Sequence, residues 1–144
     1  MEEKIRRLVT YYIKYYGTRD PSRIAQHLSI PVFYYPLGNV AGQYKYLEHT
    51  KCIVINSDIM DENFLRIVMA HELGHALLHW KENCCFMAHK TLLSTSRIER
   101  QANKFAAELL IEDSILFEYA GSTIQQISAI ENVNEELIKL KFNL

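Results

Sequence analysis

Apolar side chains at Ile5, Val9, Tyr12 or Ile13, and Tyr16 recur at helical spacing, which predicts an amphipathic helix over about residues 2–16 that ends at Gly17. Asp20-Pro21 supplies an N-cap and a first-turn proline, so Ile24, Ala25 and Leu28 form a short second helix that Pro31 stops. The pattern then changes. Val32-Phe33-Tyr34-Tyr35, Gln43-Tyr44-Lys45-Tyr46 and Cys52-Ile53-Val54-Ile55 are β-branched or aromatic runs, separated by Pro36, Gly38, Gly42 and a polar loop. They predict a small, mostly antiparallel sheet. Helical spacing returns after Asp61, a cap candidate, through Phe64, Ile67, Val68, His71, His75 and Leu78.

Residues 80–96 show no steady period, and Ile98, Ala102, Phe105, Ala106, Leu109 and Leu110 then resume a buried helical stripe. Gly121 closes a further helical piece, Ser122 is placed to cap the next with Gln125 in capping-box position, and Glu135 to Phe142 complete the chain as helix. The pattern is that of an α+β fold without internal repeats. With 144 residues, 49% of them hydrophobic, the chain suits a single domain over residues 1–144 with one core.

Charge narrows the classes of function. Sixteen Lys and Arg stand against seventeen Asp and Glu, so no net field draws the chain to nucleic acid or an anionic membrane. The charged start Met1-Glu2-Glu3-Lys4-Ile5-Arg6-Arg7 leaves no room for a signal-peptide core, and no apolar run reaches spanning length. Three cysteines, two of them adjacent, make a poor disulfide framework, and a cytoplasmic setting is expected.

The chemistry lies in His71-Glu72-Leu73-Gly74-His75, an H-E-x-x-H segment. On a helix the two histidines are separated by about 40° around the axis and can reach one metal ion, whereas Glu72 lies about 100° away, beside the ion. That is the placement of a general base acting on a metal-activated water. Chance produces the pattern on the order of once in a few hundred chains of this length. Two core imidazoles without partners would cost a few kcal/mol, roughly, which a metal removes. Gly74, unfavourable in mid-helix, suggests a close approach to its backbone.

A catalytic zinc site needs a third protein ligand and one open position. His79 does not fit the longer H-E-x-x-H-x-x-G-x-x-H pattern, because Leu78 and Lys81 stand where glycine and histidine would be required. Cys84, Cys85 and His89 would close the coordination shell and idle Glu72, and they read as ordinary loop or core residues. Glu99 opens the second long helix with Asn103 one turn on, but Ser96-Arg97-Ile98-Glu99 also matches a capping box, so spacing leaves ligand and cap both open. Glu108 and Glu112 point away from the Glu99–Asn103 face.

At these residues the chain resembles the ImmA/IrrE family of metallopeptidases. Three stretches carry the likeness: Cys52-Ile53-Val54-Ile55-Asn56, Ala70 through His79, and Glu99-Arg100-Gln101-Ala102-Asn103-Lys104-Phe105-Ala106-Ala107-Glu108-Leu109-Leu110. The resemblance implies a zincin-like arrangement, in which a small sheet packs with the metal helix, a crossing ligand helix and peripheral helices. It implies one Zn2+ per chain held by His71, His75 and Glu99, with Glu72 catalytic and Asn103 orienting a ligating histidine. Asn103 is an amide where many related zinc peptidases carry a carboxylate, and Ile111-Glu112 stands where an apolar residue and proline are frequent. The implied activity is endopeptidase cleavage of a DNA-binding, helix-turn-helix repressor of a phage or mobile element, either constitutive or dependent on an antirepressor partner. The competing reading is a zinc-binding regulator that binds a repressor, or senses stress, without turnover. Ser122 to Leu140 lacks a basic recognition helix, which argues against direct DNA binding.

Overall fold

The computed structural model describes residues 1–87 and 96–144, apart from the side chain of Met87. Its elements in chain order are α1 (Glu2–Tyr16), α2 (Pro21–His27), β1 (Val32–Tyr35), β2 (Val40–Leu47), β3 (Thr50–Asn56), α3 (Glu62–Leu78), β4 (Cys84–Met87), α4 (Arg97–Leu110), α5 (Ile115–Glu118), α6 (Ile124–Glu131) and α7 (Glu135–Phe142). The expected α+β architecture is present. Strand order is β1-β3-β2-β4; β2 pairs antiparallel with both β3 and β4, and β1 alone runs parallel, to β3.

The caps follow local chemistry. Gly17 ends α1 in the left-handed region at φ 66°, and the Asp20 and Asp61 carboxylates accept from Ser22 N–H and from Asn63 and Phe64 N–H at the starts of α2 and α3. The expected Ser122–Gln125 box is displaced by one residue, to Thr123 and Gln126. Both pairs have capping-box spacing, but it is Thr123 that takes the extended conformation, at φ −76° and ψ 161°, that lets its hydroxyl face the helix. Gly42, expected to separate two strands, lies inside β2. Cys84-Cys85-Phe86-Met87, expected to be irregular, is a strand, because four residues are too few to show a period and pairing with β2 decides them.

Helix α3 lies at the centre. Every residue from Ile67 to Ala76 is buried, since β2, β3 and β4 pack against it along with α2 and α4. A helix enclosed in this way is apolar nearly all round, so its histidines and glutamate are shielded from bulk solvent. Gly74 has the close neighbour its position suggested: a Cβ there would meet Phe105 Cβ at 3.1 Å, so the glycine lets α4 cross closely.

The far end of α4 is tied down by charge. Arg19 Nη1 donates to the carbonyls of Glu108, Leu109 and Ile111 at 3.3, 3.1 and 3.2 Å, which closes this helix end. Buried Glu108 accepts from Lys104 and Lys141 at 3.5 and 3.3 Å, and Lys104 also donates to the Leu140 and Lys141 carbonyls of α7. Glu108→Ala is expected to lower stability by about 3 kcal/mol in urea unfolding, because it leaves two buried ammonium groups without their shared carboxylate. A loss under about 1 kcal/mol would show that the Leu140 and Lys141 carbonyls satisfy Lys104, and that Asp113, 2.8 Å from Lys141 Nζ, satisfies Lys141.

Candidate metal centre

The H-E-x-x-H turn of α3 and the first turns of α4 converge where the two helices cross. His71 and His75, one turn apart, present their Nε2 atoms 3.1 Å from each other. Glu99 comes in from α4, with Oε2 2.9 Å from His71 Nε2 and Oε1 3.0 Å from His75 Nε2. One ligand atom from each of the three lies within 4.8 Å of the others. Ser96 is the backbone N-cap of α4 without a side-chain cap bond, and the Glu99 carboxylate is spent on the imidazoles. Of the two roles that spacing leaves open for Glu99, the geometry therefore supports the ligand.

Asn103, buried one turn along α4, places Oδ1 2.7 Å from His71 Nδ1. Since an amide oxygen only accepts, His71 carries a proton on Nδ1, and in the neutral imidazole its Nε2 lone pair then faces the Glu99 carboxylate and His75 Nε2. Burial of Glu99 raises its pKa, but the hydrogen bonds and charges of His71 and His75 outweigh this and hold it well below the usual carboxylate range. His75 is pushed down, chiefly by burial, toward the neutral imidazole. Two imidazole nitrogens and a carboxylate oxygen converging at contact distance form a donor set that fits a metal ion, which would take the imidazoles neutral and the carboxylate ionised.

Glu72 stands apart, as its helical direction predicts. It is fully buried, and neither carboxylate oxygen has a hydrogen-bond partner among the described residues. Burial, and then the charge of Glu99, raise its pKa well above the ordinary value. An unpartnered carboxylate of raised proton affinity beside a cation site is placed to take and return a proton.

The remaining candidates separate. Cys84 lies near enough to both glutamates to be affected by them, and burial followed by the charges of Glu99 and Glu72 pushes its thiol up to about 12, which disfavours the thiolate a metal needs. Cys85 is exposed. His79 caps α3 with its ring centroid 6.1 Å from that of His75, outside the converging set. His89 lies outside the described residues. Tyr44 donates its hydroxyl to the Trp80 carbonyl at 2.6 Å and Tyr46 packs edge-on against Trp80, so both tyrosines brace the chain beyond α3.

Sequence reasoning missed Phe86, whose ring lies 4.6 Å from the His71 ring and forms the apolar wall behind it. It missed Gly42 as well, which faces Glu72 from β2. The four-residue apolar run of β4 was the available signal for the first; no local signal marks the second.

Comparison with known proteins identifies a family. The family described as the IrrE N-terminal-like domain matches residues 25–140. The chain is 38% identical over 140 residues to a protein of Bacillus phage phi105 named "Uncharacterized immunity region protein 2", covering 95% of this chain and 88% of that one. It is 32% identical over 138 residues to the metallopeptidase ImmA of Bacillus subtilis strain 168, covering 90% and 78% respectively.

Proposed function

The chain belongs to the metallopeptidase family of the IrrE N-terminal-like domain, and on that premise we propose that it is a zinc-dependent endopeptidase whose substrate is a DNA-binding repressor. The observation that carries the reading is the convergence of two imidazoles and one carboxylate beside a buried carboxylate that has no hydrogen-bond partner among the described residues. His71, His75 and Glu99 hold the ion. Two nitrogens and one oxygen suit zinc, and three protein ligands leave one position for the reaction. When bound, the metal supplies Lewis acidity, which acidifies a water and polarises a scissile carbonyl.

The chain's own residues do the rest. Glu72 takes the proton from the attacking water on its free carboxylate oxygen and returns it to the leaving amine. Asn103 keeps His71 in the tautomer that presents Nε2. The buried side chains around α3 exclude bulk water, while Glu99, with 15% of its side chain exposed against 1% and 0% for the histidines, marks the side from which substrate enters. Among the described residues β4 is the outer strand on this side of the sheet, and its backbone offers an extended segment of substrate a strand to pair with.

Support for a repressor is indirect and comes from similarity to a phage immunity-region protein, which is compatible with a substrate that controls phage genes. No helix among the described residues is long and apolar enough to cross a membrane, and we place the activity in the cytoplasm, where such a repressor acts. The test is to incubate zinc-loaded protein with the repressor encoded beside its gene, and with any antirepressor encoded there, and to analyse the products by mass spectrometry. One discrete cut, lost with a chelator and restored by zinc, is expected. A repressor that leaves its DNA uncut would replace this reading with that of a non-catalytic regulator.

A further inference from the structure

We propose that Gly42 is a positioning residue for Glu72, and that the missing side chain at this point of β2 sets where the buried carboxylate rests. The inference builds on the reading of Glu72 as the proton acceptor. A Cβ at Gly42 would lie 2.6 Å from Val68 Cγ1, 3.2 Å from Glu72 Cγ and 3.4 Å from Glu72 Oε1. Val68 and Glu72 are one turn apart on α3 and both face β2. The backbone of Gly42 is outside the left-handed region, so the requirement is for space and not for an unusual torsion.

Two features make this contact a positioning device. Among the described residues no hydrogen bond reaches either Glu72 oxygen, so the walls packed around the side chain help to aim it. The wall at Gly42 is also held firmly. Gly42 is paired to Ile55 on one side and to Phe86 on the other, and the register shift between Val40 and Gly42 in the β2–β4 pairing turns the strand at this point. Just upstream, buried Asn56 donates to the carbonyls of Gly38 and Val40, both at 3.0 Å. A methyl added at residue 42 could not move away with its strand, and the flexible end of Glu72 would move instead.

The test begins in a Val68→Ala background, which removes the 2.6 Å contact and leaves the one to Glu72; Val68→Ala alone is expected to cut with unchanged kcat. Adding Gly42→Ala is expected to lower kcat about tenfold, the scale of a displacement of a few tenths of an ångström at a reacting group, with KM and one-to-one metal content unchanged. A second readout needs no turnover. Gly42→Ala should lower Tm when residue 72 is glutamate or is changed by Glu72→Gln, and lose that effect with Glu72→Ala, which vacates the space. Equal Tm losses in all three backgrounds, or a kcat unchanged by Gly42→Ala, would overturn the assignment while leaving the peptidase reading intact. A coupled Tm in a protein that never cuts a substrate would keep the steric assignment and defeat the peptidase reading.

Discussion

Glu72→Gln is expected to fold, to keep its metal, and to cut its substrate about 10²- to 10⁴-fold more slowly, the range that general acid–base catalysis supplies. The amide has nearly the shape of the carboxylate and preserves the contact of Cγ with Gly42, so the packing between α3 and β2 is retained. What disappears is a basic oxygen. Because the native carboxylate has no hydrogen bond to lose among the described residues, the replacement costs little stability, and the defect falls on the reaction. Metal content by elemental analysis, together with kcat and KM from a cleavage assay, separates these effects. Cleavage within a few-fold of wild type would remove Glu72 from the mechanism.

Glu99→Ala should act earlier, at the metal itself. It deletes the one carboxylate of the converging set and leaves the two imidazoles. Loss of a partner that merely orients a ligand costs about 10- to 100-fold in metal affinity, and loss of a ligand should cost more. Zinc bound to the folded state alone raises Tm in proportion to the logarithm of its concentration over Kd, so wild type should gain stability on zinc addition while Glu99→Ala gains almost none at micromolar metal. Cleavage should disappear in parallel. Wild-type zinc affinity in Glu99→Ala, measured by competition with a chromogenic chelator, would move the third ligand elsewhere.

The two variants therefore fail differently: one is a loaded protein without a base, the other a protein without its ion. The distinction follows from angles around α3. Residues 71 and 75 share a face that meets α4, while residue 72 is turned toward β2.

Much of the site is legible in the order of residues along the chain. The helical period through Phe64, Ile67, Val68, His71 and His75 places the imidazoles one above the other, and the period itself separates Glu72 from them. The candidate ligand on the next helix is legible only as one of two roles for Glu99, because an N-terminal glutamate after Ser96 has the same spacing whether it caps its helix or reaches across to another. Resemblance favours the ligand, and geometry supports it through two contacts of about 3 Å. The displaced cap at Thr123 and the unexpected strand β4 show the same limit: where two local patterns are equally good, or too short to have a period, the neighbouring element chooses.

What the sequence determined by itself was whatever depends on residues within one or two turns of each other: element types, the shared face of His71 and His75, the different direction of Glu72, and the glycine that allows α4 to approach. Tertiary structure alone decided what depends on residues far apart in the chain meeting at contact distance. Phe86 behind His71, Glu108 between two lysines and Gly42 opposite Glu72 are all of this kind. The physical reason is that periodicity encodes direction around one axis, whereas the distance between two elements is set by the side chains, or the absence of one, packed between them.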